Sequence, residues 1–340
     1  MILTGRRFFS SDRLKSFRAL TSGLLPFLST RHMDFLTSIC MNYSIDGGIF
    51  RFNANKNIFS PAKTFDCGQC FRWNPAEDGG FKGIVAGRAL KLCAEPSASN
   101  SDVLAVYDMS GRRIDEAFGD HLAGYFDFGF DYAEAFELLS SKDDIMEKAA
   151  EASRGIHILK QDFFETVISF IISANNNIPR IKKCIERISE LYGKAIYDAA
   201  GDIVGYAFPE ASALSAVEPS ELCEKARVGY RAEYIVRTSA LFAENRVSYS
   251  KLRGEDSRAM QDEIVKLPGV GPKVANCIML FSGLCRGAFP VDVWVERLMQ
   301  DFYGLEGMSR QALEKYGKDY FGEYAGLAQQ FLFYYKRLIS

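Results

Sequence analysis

From 262 to 277 the chain runs Asp-Glu-Ile-Val-Lys-Leu-Pro-Gly-Val-Gly-Pro-Lys-Val-Ala-Asn-Cys, and from 289 to 298 it runs Phe-Pro-Val-Asp-Val-Trp-Val-Glu-Arg-Leu. A helical run ending at Leu267 meets Pro268-Gly269-Val270-Gly271-Pro272. A second run follows, with Val274, Cys277, Ile278 and Phe281 on one face. The pattern predicts two helices joined by a tight hairpin. Gly269 and Gly271 tolerate backbone angles that other residues resist, and they let another molecule approach the main chain closely. Pro272 suits the first turn of the second helix, whose unpaired amides form a seat for a phosphate. Lys273 lies in that turn, where the positive end of the helix disfavours a cation. The expectation is a lowered pKa and an available amine nucleophile. Asp292 opens the run Val293–Leu298 and reads as an N-cap, where a carboxylate is held ionised.

Working outward, the whole chain is of ordinary globular composition: 340 residues, 48% hydrophobic and 25% charged. That length allows two or three packed units. No apolar stretch approaches the roughly 18 residues needed to span a bilayer as a helix. A net charge of −2 does not announce a nucleic-acid binder, so any positive surface for DNA must be local. Arg180, Lys182, Lys183 and Arg187 form one basic run, and Lys225, Arg227, Arg231 and Arg237 another. Of eight cysteines only Cys67 and Cys70 are closely spaced, and with three histidines in the chain they read as buried thiols rather than half a zinc site.

Residues 1–40 carry Arg6, Arg7, Arg13, Lys15, Arg18 and Arg31 against Asp12 and Asp34. They read as an unstructured extension, either an overlong start (Met33 and Met41 are alternatives) or a targeting segment. Over about 41–130 the period falls towards two: Phe50-Arg51-Phe52, then Gly83–Gly87 running into Arg88–Cys93, then Val103–Tyr107. These strands predict a small antiparallel sheet domain. Phe65–Trp73, between the first strands, reads as a buried aromatic strand. From 131 to 340 the period is helical, with Phe163, Val167, Phe170, Ile171 and Ala174 in one stripe and Ile181, Ile185, Ile188 and Tyr192 in the next. The expected fold class is α+β.

The hairpin, and Pro290-Val291-Asp292 beyond it, resemble the helix-hairpin-helix, Gly-Pro-Asp superfamily of DNA glycosylases. A lysine at the Lys273 position marks members that combine base removal with strand nicking. The resemblance implies a TBP-like sheet domain, then an all-helical, two-lobed catalytic domain. It implies Lys273 as nucleophile, Asp292 as the carboxylate that stabilises the cationic sugar, and Gly269 and Gly271 at the DNA backbone. Four further segments resemble the 8-oxoguanine branch. In Gly68-Gln69-Cys70-Phe71-Arg72-Trp73 the carbonyl of Gly68 would accept a hydrogen bond from N7–H of the lesion, which intact guanine lacks. In Asn175-Asn176-Asn177-Ile178-Pro179-Arg180 and in Tyr230-Arg231, Asn175 and Tyr230 would fill the gap in the duplex while Arg180 and Arg231 donate to the estranged cytosine. On the last helix Gln329 would bond the edge of the extruded base and Phe333 stack on it, with Cys277 covering the other face. Trp294 departs from the family, eukaryotic members of which often carry histidine there.

The resemblance implies damaged double-stranded DNA as partner, a monomer, and no cofactor or catalytic metal. A cation between the hairpin carbonyls and a phosphate would be structural. The setting would be cytoplasm or nucleoid in a bacterium, nucleus or mitochondrion in a eukaryote. Glycosylases with an iron–sulfur cluster fit poorly, because no cysteine follows Cys285. Alkylbase glycosylases typically lack the hairpin lysine. A non-catalytic hairpin module would leave Asp292, Gly68 and Gln329 coincidental.

Overall fold

The structure, a computed structural model, describes residues 43–54, 58–95 and 103–339; the extension expected over 1–40 lies outside them. The chain opens with β1 (Tyr43–Asp46), β2 (Ile49–Asn53), a short helix α1 (Pro61–Phe65), β3 (Trp73–Pro75), β4 (Phe81–Val85), β5 (Arg88–Ala94) and β6 (Val103–Asp108). The six strands form one antiparallel sheet in the order β1-β2-β6-β5-β4-β3. One face buries Phe50, Phe52, Phe59, Phe65, Trp73, Phe126 and Phe128. Phe65 stacks flat on Trp73 at 4.4 Å, and the indole lies so close to Gly83 that a Cβ there would meet it at 2.4 Å.

Two expectations change here. Phe65–Trp73 is not a strand: its aromatic residues end α1, cross a turn and begin β3. The alternation of large apolar residues imitates a strand, but Pro61 and the Ser60 cap start a helix instead. Helix also begins earlier than the period indicates, at α2 (Glu116–Tyr125), which closes the sheet core through Leu122 and Tyr125.

There follow α3 (Tyr132–Ser140), α4 (Asp144–Ser153), α5 (Phe163–Ser173) and α6 (Ile178–Tyr192), then a hairpin of β7 (Ala195–Tyr197) and β8 (Ile203–Tyr206). After it come α7 (Ala211–Ser215), α8 (Pro219–Ala226), α9 (Arg231–Ala243), α10 (Tyr249–Leu252), α11 (Ser257–Ile264), α12 (Pro272–Phe281), α13 (Val293–Tyr303), α14 (Arg310–Phe321) and α15 (Ala325–Ile339). The β7–β8 hairpin corrects the expectation of an all-helical second part. It needs Gly193, whose absent Cβ leaves room for the Ala207 carbonyl, and Gly205, which lies against Ile84 of the larger sheet. Asp115, Asp131, Asp143, Asp162, Asn177, Asp256 and Ser309 each cap a helix through a side-chain oxygen. The helices share a second core, which also takes in Cys67 and Phe71 from the β3 approach.

Polar bonds join the two cores. Arg72 reaches across to Ser189 (3.0 Å) and Glu186 (3.1 Å) on α6, and Lys182 donates to the Trp73 carbonyl at 2.8 Å. Asp127, buried in a left-handed turn, accepts from Arg286 at 2.7 Å and pairs with Lys160 at 2.6 Å. Arg286 stands just ahead of Asp292, so this bridge ties the sheet's exit to the segment that carries the carboxylate.

Candidate active site

α11 stops at Ile264, three residues short of the expected Leu267, and the chain continues through bonds from Leu267 N to Ile264 O and from Val270 N to Leu267 O, both 3.1 Å. The two hairpin glycines do different work. Gly269 has φ +80 and packs on Tyr234 of α9, where a Cβ would meet the ring at 2.6 Å. Gly271 is extended at φ −96 with nothing within 4 Å of a Cβ. Nothing in the protein requires a glycine there, and the uncapped first turn of α12 opens beside it.

Lys273, half-buried in that turn, sets its amine over the Phe170 ring, 5.8 Å from the centroid. Its pKa departs from expectation. Burial acts to lower it and is the largest single influence. The sulfur of Cys277, one helical turn on, and the Asp292 carboxylate outweigh that, and the net shift is upward. In the resting protein Lys273 is therefore an ammonium. Cys277 is itself pushed up, chiefly by burial. Asp292 caps α13 as expected: its Oδ1 accepts from the amides of Trp294 (2.9 Å) and Val295 (2.8 Å). Trp294 beside it is 45% exposed.

Phe170 links this group to the Gly68 turn, since it meets Phe71 edge-on at 5.6 Å. Gly68 has φ +77, and its Cα faces the Phe333 ring of α15 and Ile178 Cδ1 of α6, at 3.5 and 3.8 Å from an ideal Cβ. The turn is heavily bonded. The Thr64 carbonyl accepts from Gln69 Nε2 (3.0 Å), Phe65 from the Cys70 thiol, Asp66 from Arg337, Cys67 from Gln330 and Gln69 from Gln161 (2.8 Å). Among the described residues, and along the run Thr64–Gln69, the Gly68 carbonyl alone receives no hydrogen bond. Gln329 is 6% exposed, and its Oε1 is buried without a partner.

A second group forms around Asn175, exposed in a left-handed conformation (φ +51). Tyr230 is 60% exposed and Arg180 is exposed. Arg231 is not free to donate outward: it is buried, with bonds to the carbonyls of Ala174 (3.0 Å), Asn175 (3.0 Å) and Val228 (3.1 Å). It braces the turn that presents Asn175. The basic runs are partly structural too, with Lys182 held at Trp73, Arg187 at Glu190 and Lys225 at Glu221. The sequence marks Phe170 only as part of an apolar stripe and gives neither Ile178 nor Gln330 a role at the site, because their neighbours there come from distant segments.

The site is thus a ring-seated lysine opening the helix after a hairpin, with a capping carboxylate within electrostatic reach. Residues 168–322 match the family model for HhH-GPD superfamily base excision DNA repair proteins, and residues 51–167 match that for the N-terminal domain of 8-oxoguanine DNA glycosylase. The chain is 35% identical to an N-glycosylase/DNA lyase of Arabidopsis thaliana over 79% of its own length and 75% of the relative's. It is 32% identical to a probable N-glycosylase/DNA lyase of Methanothermobacter thermautotrophicus over 62% and 72%. A Clostridium acetobutylicum 8-oxoguanine glycosylase/lyase, solved with double-stranded DNA containing cytosine opposite 8-oxoguanine, superposes with TM-score 0.79 at 35% identity, covering 88% of this chain and 99% of that one. The chain belongs to the 8-oxoguanine DNA glycosylase family.

Proposed function

We propose that the protein removes 8-oxoguanine, and formamidopyrimidine, from duplex DNA and then nicks the strand, acting as a monomer. The observation that carries this reading is the Gly68 carbonyl, unpartnered between the bonded carbonyls of Cys67 and Gln69 and beside the Phe333 ring. An acceptor held in that way favours a base with a proton on N7. Intact guanine presents a lone pair there and leaves the carbonyl unsatisfied, which costs about 1–3 kcal/mol. Gln329 supplies a second buried polar group for the base edge, and Phe333 and Cys277 supply its two faces.

Lys273, once it has lost its proton to solvent, forms a bond from Nζ to C1′ of the deoxyribose as the C1′–N9 bond breaks; the base leaves with that electron pair and takes up a proton from solvent. Asp292, its orientation fixed by two amides, stabilises the positive sugar. Ring opening gives a Schiff base. Loss of a C2′ proton then expels the 3′ phosphate. On the other strand Tyr230 occupies the gap, Asn175 and Arg180 face the orphaned base, and Arg231 reaches it only by exchanging its carbonyl bonds. Gly269 and Gly271 lie at the DNA backbone. The test is single-turnover excision on duplexes with 8-oxoguanine, formamidopyrimidine, uracil or thymine glycol, each opposite all four bases. Release confined to the two purine lesions is expected, and preferential release of uracil or thymine glycol overturns the reading.

A further inference from the structure

One face of α15 grips three consecutive residues of the turn that presents Gly68. Gln330, Phe333 and Arg337 lie at i, i+3 and i+7, and so on the same side of the helix. Gln330 is 2% exposed and donates from Nε2 to the carbonyl of Cys67. Phe333 lies against the Gly68 Cα. Arg337 donates to the carbonyl of Asp66 and, at 3.4 Å, to its carboxylate. The same helix carries Gln329 one position before Gln330, with its Oε1 unpartnered.

We infer that Gln330 and Arg337 are positioning residues for lesion recognition: they fix the Asp66–Gly68 peptides so that the Gly68 carbonyl is held in register with Gln329 on one rigid helix. The inference rests on the reading of Gly68 given above. A glycine at φ +77 has no side chain to hold its own peptide plane, so neighbouring bonds must do it. Gln69 anchors the far side through His157 (2.7 Å) and Leu159 (2.8 Å). Gln330 anchors the near side at the residue immediately before Gly68, and Arg337 anchors the residue before that. Without Gln330 the Cys67 carbonyl is left buried and unbonded, and the turn can rotate away from Gln329. Neither residue touches the Lys273 centre, so strand nicking at a site whose base is already gone does not depend on them.

The experiment compares Gln330→Met, which keeps volume and removes the donor, with Arg337→Ala at the exposed end of the helix. Single-turnover rates are measured on an 8-oxoguanine duplex and on a preformed abasic duplex. Gln330→Met is expected to slow 8-oxoguanine excision about tenfold while abasic nicking stays within about twofold. Arg337→Ala is expected to act in the same direction by about two- to threefold, since the bond it removes is partly solvated. Equal loss on both substrates, or no loss on either, overturns the inference. If Gln330→Met does not fold, Arg337→Ala decides by the same criteria. A wild-type protein that leaves 8-oxoguanine in place refutes the parent reading instead.

Discussion

Gly269 and Gly271 share a hairpin and a residue type, yet replacing each with alanine should produce opposite defects. At Gly269 a Cβ would sit 2.6 to 2.9 Å from the ring and Cβ of Tyr234, and the backbone is left-handed. The conformation costs an L-residue about 1–2 kcal/mol, and forcing the Tyr234 side chain aside adds about 1–2 kcal/mol more. The sum, about 2–4 kcal/mol, corresponds to a fall in melting temperature of about 3–6 °C for a chain of this length. At Gly271 a Cβ meets nothing, and φ is −96. Alanine is a poorer N-cap than glycine by some tenths of a kcal/mol, but it lowers the entropy of the unfolded chain by an amount worth about 0.4–1 kcal/mol. Stability should therefore barely move. What Gly271→Ala should lose is affinity for a duplex, because the added methyl stands where the main chain is to meet a phosphate. Thermal unfolding and fluorescence anisotropy with a labelled abasic-analogue duplex separate the two. A Gly269→Ala protein that melts like wild type refutes the packing argument, and a Gly271→Ala protein with unchanged DNA affinity refutes the assignment of that face.

Asp292→Asn should keep the melting temperature within about 1–2 °C, because an asparagine oxygen can still cap Trp294 and Val295, while excision falls at least about a hundredfold; single-turnover kinetics beside thermal melts check this. Since Lys273 must be deprotonated to attack and its pKa is raised, the rate of borohydride-trappable adduct formation should climb with pH above neutrality. Removing two of the upward influences with Cys277→Ala should move that limb to lower pH. Glu165 on α5 is pushed up to about 7, chiefly by burial. The native state therefore holds an extra proton between about pH 4.5 and 7, and stability falls as pH rises through that window. Urea midpoints of Glu165→Gln should be flatter there and higher than wild type above pH 7.

The hairpin was legible because Pro-Gly-Val-Gly-Pro interrupts two apolar stripes, and the capping role of Asp292 because a carboxylate stood directly before a helical run. Both are local signals. The strands read at 50–52, 83–93 and 103–107 were legible for the same reason and fall on β2, β4, β5 and β6. What depended on distant neighbours was not. The Lys273 shift follows from Cys277 and Asp292 converging on one amine, whereas the helix-end argument saw only the backbone. Arg231 looks like a free donor until the Ala174 and Asn175 carbonyls arrive beside it. Phe65–Trp73 mimics a strand because a helix end, a turn and a strand start each contribute an aromatic residue to one core. Gln330 is one glutamine among apolar neighbours, and its partner lies 263 positions away.

At the centre of this account is a covalent bond between Lys273 and the sugar of the lesion. Borohydride reduction during reaction with an 8-oxoguanine·cytosine duplex, followed by digestion and mass analysis, should find the deoxyribose remnant on Lys273 alone, and Lys273→Gln should yield no adduct. An adduct on another residue, or one that persists in Lys273→Gln, would contradict it.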